Sequence, residues 1–425
     1  MNTRKTTAPV KRNAYSVYLW MEGITSLASW LAFTVSIIYQ VTTVGLNPLQ
    51  LVLVGTTIEV TAFIFEVPTG VVADTISRKL SIVVGLILVG CGFVLEGSIP
   101  RFETILVAQV VAGIGYTFTS GATEAWIADE VGETKATRAF LRGSQVSYIG
   151  ALIGTAGAVA LGSVAINLPI IIGGVIMILV GVVLIVIMPE TGFKPTPRED
   201  RTTFQSMLHT FKSGVKLVRG KPVLISILVL GLVYGMYSEG FDRLWGAHFL
   251  QDIALPAIGS LQPVVWFGII RVVSLLLSIG LIEFASRKVN TDSHGLVARA
   301  VLALNVSMVI GLLTFAVTGN FVIALLAYWL TSAARRTLNP VYTAWVNQHL
   351  ESSVRATVIS MTAQIDALGQ MIGGPIVGVI GTAFGVPSAL FASGMILSIA
   401  LPLLIRTIRR DQLSLVNAID PIAIE

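Results

Sequence analysis

Along this chain the apolar residues gather into long runs, separated by short polar connections. A helix that crosses a bilayer needs about 20 mostly apolar residues. Twelve stretches come near or exceed that length, some with isolated polar residues inside: 15–44, 48–73, 80–99, 104–128, 140–164 and 168–188, then 223–250, 256–282, 295–318, 321–346, 354–382 and 386–405. The pattern predicts an all-α integral membrane protein of twelve transmembrane helices, built as two pseudo-symmetric six-helix bundles. The expected boundaries are 1–190 for the first bundle, 191–221 for a linker and 222–425 for the second.

The longest connection, 189–221, opens with PETGFKPTPRED, whose prolines and charges disfavour a span. It continues with Phe204, Met207, Leu208, Phe211, Val215 and Val218 at helical spacing among polar and basic residues. That spacing predicts an amphipathic helix lying on the inner membrane surface. The opening MNTRKTTAPVKR is polar, and the run after it is too long for a signal-peptide core, so the first span is expected to remain in the mature protein.

Composition agrees: the 425 residues are 54% apolar and 12% charged, against about 25% charged in ordinary soluble proteins. One cysteine, Cys91, excludes an internal disulfide or a cysteine-based metal cluster, and no metal or cofactor is expected. The net charge of +5 invites comparison with nucleic-acid binders, but location decides against it. Of the 28 basic residues, 23 lie on the side of the tails and even-numbered connections, in them or at the adjoining span ends, four more sit deeper inside spans, and only Arg101 falls on an odd-numbered connection. Cytoplasmic loops are enriched in Lys and Arg. The chain is therefore expected to be a multi-pass protein of the cell membrane with both termini in the cytoplasm, in contact with lipid and not with nucleic acid.

The two halves echo each other. After the second span stands ADTISRK, and after the eighth IEFASRK, so that Asp74 and Glu283, Arg78 and Arg287, and Lys79 and Lys288 recur 209 residues apart. Ala125-Trp126 and Ala344-Trp345 recur at 219, as do Gly150 and Gly154 with Gly369 and Gly373. These glycine pairs have the GxxxG spacing that lets lipid-embedded helices approach backbone to backbone. Gly374-Pro375 follows directly in span eleven.

At GVVADTISRK the sequence resembles the major facilitator superfamily, whose signature between spans two and three is matched here by Gly70, Asp74, Arg78 and Lys79. It departs from that signature at Thr75 and Ser77. EVPTGVVAD, ATEAWIADE and EGFDRLWGAHFL resemble the branch holding tetracycline and macrolide efflux proteins. The resemblance implies a transporter working by alternating access, with Gly70, Asp74, Arg78, Lys79 and their second-half counterparts Glu283, Arg287 and Lys288 acting as a conformational latch. Two antiporter patterns fit less well: Gln109 stands where an arginine is common, and Thr155 follows Gly154 where the branch has proline.

A charged side chain at the bilayer centre costs at least about 2.5 kcal/mol on insertion scales, so each one calls for a partner, water or a role. Seven acids are read as lying within spans, Glu22, Glu59, Glu66, Glu124, Glu239, Asp242 and Asp366, with four arginines, Arg243, Arg271, Arg335 and Arg336. Four of the acids occupy the first half and all four arginines the second, which predicts ion pairs across the bundle interface. Unpaired acids must face water or hold a proton. Glu59 lies about 16 Å along its helix from Pro48, near the midplane, and ranks first as a proton-carrying or substrate-contacting group. Glu22, Glu66, Glu124, Asp366, Arg271, Arg335 and Arg336 complete the candidate set; the plainer alternative for each is a structural hydrogen bond.

The expected function is proton-coupled efflux of small amphiphilic molecules by a monomer. Uptake of a nutrient on the same fold stays open, because gradients and not architecture set direction. A receptor or enzyme finds little support, since no nucleotide-binding loop, metal cluster or catalytic-triad context stands out.

Overall fold

Polar residues at the span edges start the helices. In the computed structural model, which describes residues 13–195, 222–256, 262–288, 294–348, 350 and 352–419, Asn13 caps α1 (Ala14–Ile38) through a side-chain bond to the Tyr15 amide. Asn47 and Gln50 form a reciprocal capping box at α2 (Pro48–Thr75), with Pro48 in the first turn where its missing N–H costs nothing. Ser77 caps α3 (Arg78–Ser98). The first half continues with α4 (Phe102–Thr119), α5 (Ala122–Val131), α6 (Glu133–Gly162) and α7 (Leu168–Ile187). The second comprises α8 (Pro222–Gln251), α9 (Pro263–Lys288), α10 (His294–Val317), α11 (Phe321–Gln348), α12 (Ser352–Phe384), α13 (Val386–Ser398) and α14 (Ala400–Ile419). No strand occurs among the described residues.

Among the described residues, eleven of the expected spans are long and apolar enough to cross a membrane by length and composition. The tenth, α11, carries Arg335 and Arg336 and misses that threshold, yet it packs against α9 and α10 as a full-length helix. The fourth span differs from the continuous helix expected over 104–128: it breaks at Ser120-Gly121, where Gly121 adopts φ +71°, into α4 and α5. Gly132, at φ +83°, then turns the chain into α6. The twelfth span likewise divides at Ile399. The amphipathic helix expected within 191–221 lies outside the described residues beyond 195.

Lipid tails are as apolar as leucine, so the helices are held by close packing of small residues. Gly150 and Gly154 of α6 lie on the α1 backbone at Gly23 and Leu27. Gly369 and Gly373 of α12 lie in the same way on α8 at Leu232 and Met236. Side chains at any of the four would collide with main chain.

Among the described residues, the contacts between the halves gather towards one face and the seam beside it. At the ends remote from the basic connections, Gly378 and Gly381 of α12 rest on Leu49 and Pro48 of α2, and the Leu49 amide donates to Thr382 Oγ1 at 3.1 Å. Gly162 of α6 meets Val264 of α9 there as well. A continuous apolar core runs through this contact, joining Val35, Leu51 and Val52 to Leu244, Phe267 and Val377. Towards the basic connections the first half keeps a separate core around Tyr18, Ile82, Trp126 and Leu184. The bundles are thus sealed at one face and parted at the face that carries Arg78, Lys79, Arg287 and Lys288.

Candidate functional site

The parted face leads into a cavity of about 490 Å³ in the first half. Its walls carry Glu22, Glu96, Glu124, Gln40, Gln109 and, from the second half, Arg243, among apolar side chains such as Phe33, Phe93 and Met177. Glu96 is an eighth acid within the spans, which the sequence count above leaves out. It is 3% exposed and both its oxygens accept amide hydrogens, from Gln40 Nε2 at 2.8 Å and Gln109 Nε2 at 3.0 Å. Gln40 reaches it because the end of α1 widens into a π-helical turn, Tyr39–Thr43, that turns Tyr39, Gln40 and Val41 inward. Glu22 accepts from the Ser147 hydroxyl at 3.0 Å, and Glu124 on α5 is exposed at the cavity edge.

Between the halves lies a seam of charge. Arg243 Nε donates to Glu239 Oε1 at 2.9 Å, one turn apart on α8, and Glu239 is 2% exposed. The pair fits because Gly55 of α2 and Gly374 of α12 lack side chains: a carbon on either would meet it. Arg335 of α11 pairs with Asp242 at 2.5 Å, with its guanidinium 5.7 Å from the Tyr237 ring centre. Half-buried Glu59 stands across the seam from these groups, within electrostatic reach of Glu239, Arg243, Asp366 and Asp242.

The expected cross-half ion pairs are replaced by another arrangement. Among the described residues no ion pair joins the halves; Arg243 and Arg335 find their acids inside the second half. The physical reason is proximity: Glu239 lies one turn from Arg243 on α8, and Asp242 of α8 faces Arg335 on the neighbouring α11. Arg271 does cross: its Nη2 donates to the Phe33 carbonyl at 2.8 Å, and its guanidinium sits 5.5 Å from Trp30 and 5.3 Å from Trp245, one indole from each half. Arg336 and Glu66 are exposed, and their side chains make no hydrogen bond or ion pair among the described residues.

Asp366 lines a second cavity, of about 440 Å³, enclosed by α8, α11 and α12. The latch candidates are held within their own halves. Arg78 pairs at 3.0 Å with Asp129 on α5, not with Asp74 beside it. Ser77 Oγ and the Lys79 amide donate to Glu190 at 2.7 and 2.9 Å, which ties the connection to the end of α7. Gly70 has open space around it. Glu283 and Arg287 pair one turn apart in solvent, and Lys288 is exposed. Pro375 lies inside α12 next to Gly374, at the sealed end of the seam.

Gln40, Gln109 and Glu96 are the site residues least visible in the sequence. The available signal was three long polar side chains inside otherwise apolar runs.

The model of the Major Facilitator Superfamily matches residues 19–304 of the chain. YxaM of Bacillus subtilis (strain 168), an uncharacterized MFS-type transporter, is 24% identical over 382 residues, covering 88% of this chain and 91% of that protein. The fold is similar to that of the nucleoside transporter NupG, with a TM-score of 0.77 at 12% identity, over 93% of this chain and 100% of that one. A bacterial homologue of the human lysosomal transporter Spinster, in an inward-facing and unoccupied conformation, gives 0.74 at 15% identity, over 93% and 97%. A POT family transporter in complex with 5-aminolevulinic acid gives 0.69 at 13% identity, over 93% and 95%.

Proposed function

Because the chain belongs to the major facilitator superfamily and is a membrane transporter of that type, we propose that it exports small amphiphilic molecules in exchange for protons, by alternating access. Residues 1–190 and 222–425 act as two bodies that rock about the seam, with 191–221 as their cytoplasmic tether. Both termini lie in the cytoplasm, so the parted face is the inner one and the conformer is open inward. The working unit is the monomer.

One observation carries the proposal: carboxyl groups at Glu22, Glu96 and Glu124 line an apolar chamber that opens at one face and is sealed at the other. A carboxyl at such a place is stable only as the acid, as a hydrated ion or as a paired ion, and rocking changes which of these it has. Glu59 supports the exchange from the seam, where it faces Arg243 and three acids. Rocking of the second half moves Arg243 and these three acids together and so changes the field at Glu59. Proton binding and the tilt of the halves are coupled through this balance.

The test is transport of dyes and antibiotics by proteoliposomes under an imposed pH gradient. The proposal expects flux that rises with the gradient and collapses with a protonophore. Transport indifferent to the gradient would remove proton coupling. Growth that depends on one nutrient, with unchanged drug susceptibility on deletion, would reverse the direction.

A further inference from the structure

The cavity of about 440 Å³ in the second half has aromatic walls. The Tyr234 ring stands nearly perpendicular to two others, at 76° to Tyr237 with centres 6.5 Å apart and at 84° to Tyr342 with centres 5.5 Å apart. Two hydroxyls are committed outside this arrangement, Tyr234 to Asn305 at 3.0 Å and Tyr342 to the Ile227 carbonyl at 3.3 Å. Those bonds fix the rings and leave their π surfaces as wall. On the same cavity lies Asp366, of which one oxygen, Oδ2, accepts from Gln370 at 2.8 Å. The other has no hydrogen bond among the described residues. The backbone that carries Asp366 is held close to the helix of Tyr234 and Tyr237, because Gly235 of α8 packs directly on the Asp366 carbonyl.

Charge settles the sign of the occupant. Arg335 also lines the cavity, but its guanidinium is neutralised by Asp242 at 2.5 Å and lies over Tyr237. Asp366 makes no close ion pair among the described residues: Arg335 acts on it only at longer range, its short contact being with Asp242. Perpendicular aromatic faces attract a cation through their quadrupoles, most strongly where water is scarce, and alkylated ammonium groups are the cations that suit such walls. We infer that this cavity binds a monovalent organic ammonium ion bearing apolar substituents, with its charge on Asp366 and its alkyl groups against Tyr234 and Tyr342, Tyr237 being covered by Arg335. The inference rests on the transporter reading for its biological use, since the ammonium would be cargo. Its chemistry stands on the cavity alone.

The test is binding without any gradient. Purified protein in nanodiscs is titrated calorimetrically with benzyltrimethylammonium, then with an analogue carrying a carboxylate. Wild type is expected to bind the cation, and Asp366→Asn to weaken it by at least about tenfold, the size of one lost charge-assisted contact. Tyr342→Leu should weaken it about fivefold, and Tyr342→Phe, which keeps the π face, less than twofold. In unaltered protein, benzyltrimethylammonium should slow carbodiimide labelling of Asp366, read by mass spectrometry, which needs no variant to fold. Absence of binding, equal binding by Asp366→Asn, unprotected Asp366, or preference for the carboxylate-bearing analogue would each overturn the assignment. Because no proton gradient enters this experiment, its failure leaves proton coupling intact, and failure of the gradient assay leaves the cage intact.

Discussion

Replacing Gly55 by alanine tests how the charged seam holds the sealed face together. A methyl carbon at that position would fall on the Glu239 carboxylate and beside the Arg243 guanidinium, so the pair must move or α2 must leave α8. Removing one partner of a buried ion pair costs about 3–5 kcal/mol. Here both charges persist and the Arg243 side chain keeps 31% exposure, so the loss is set lower, at about 1–3 kcal/mol. The contact exists between halves, so the loss falls on the sealed conformer and lowers its population roughly five- to 150-fold against the alternative. The read-out is a disulfide between Leu49→Cys and Thr382→Cys, in a Cys91→Ser background. The bond from the Leu49 amide to Thr382 Oγ1 at 3.1 Å brings these residues near the roughly 4.4–6.8 Å Cα window of a disulfide. Cross-linking should be fast without the glycine change and at least about fivefold slower with it. Gly280→Ala, where an added carbon meets nothing within 4 Å, should leave the rate unchanged. Equal rates for Gly55→Ala and the parent would refute the reasoning.

Three further outcomes follow from the same geometry. Glu59→Gln should abolish gradient-driven transport in proteoliposomes while expression and elution profile stay normal; wild-type flux would move the role to Glu22 or Glu124. Glu96→Gln places an amide where two amide donors already point, and should lower thermal stability by about 1–3 kcal/mol, the usual price of a mismatched buried polar group; differential scanning fluorimetry checks it. Gly369→Val drives a side chain into the Leu232 carbonyl and should prevent recovery of monodisperse protein, whereas Gly70→Ala, in open space, should be recovered normally.

The length of the apolar runs made the helices legible, and the glycine spacing coincides with close approaches between helices. Gly150, Gly154, Gly369 and Gly373 all sit where a backbone approaches, because a GxxxG pair has few other uses in an apolar helix. The break at Gly121 was harder to read, since a transmembrane run tolerates an internal glycine and only the positive φ reveals the turn. Partners of the charges were illegible for a different reason. Periodicity gives the spacing of side chains on one helix but not its rotation against its neighbours. Asp242 and Arg243, being adjacent, had to diverge, and they do; that Arg335 and Glu239 receive them depends on how α8, α11 and α2 pack. Glu96 illustrates the same limit, for its two glutamines come from the first and fourth spans and converge only in the folded bundle. The latch residues also read differently in three dimensions. Arg78 has a closer acid in Asp129, which α5 brings to it after the turn at Gly121.

Everything depends on a hydrated chamber that reaches the middle of the first bundle from the basic face alone. Ser29 lines that chamber, so Ser29→Cys in a Cys91→Ser background can be treated with a membrane-impermeant maleimide in vesicles of each orientation. The account expects labelling from the face that bears Arg78 and Arg287 and little from the other. A cysteine that reacts only from the opposite face, or from neither, would contradict it.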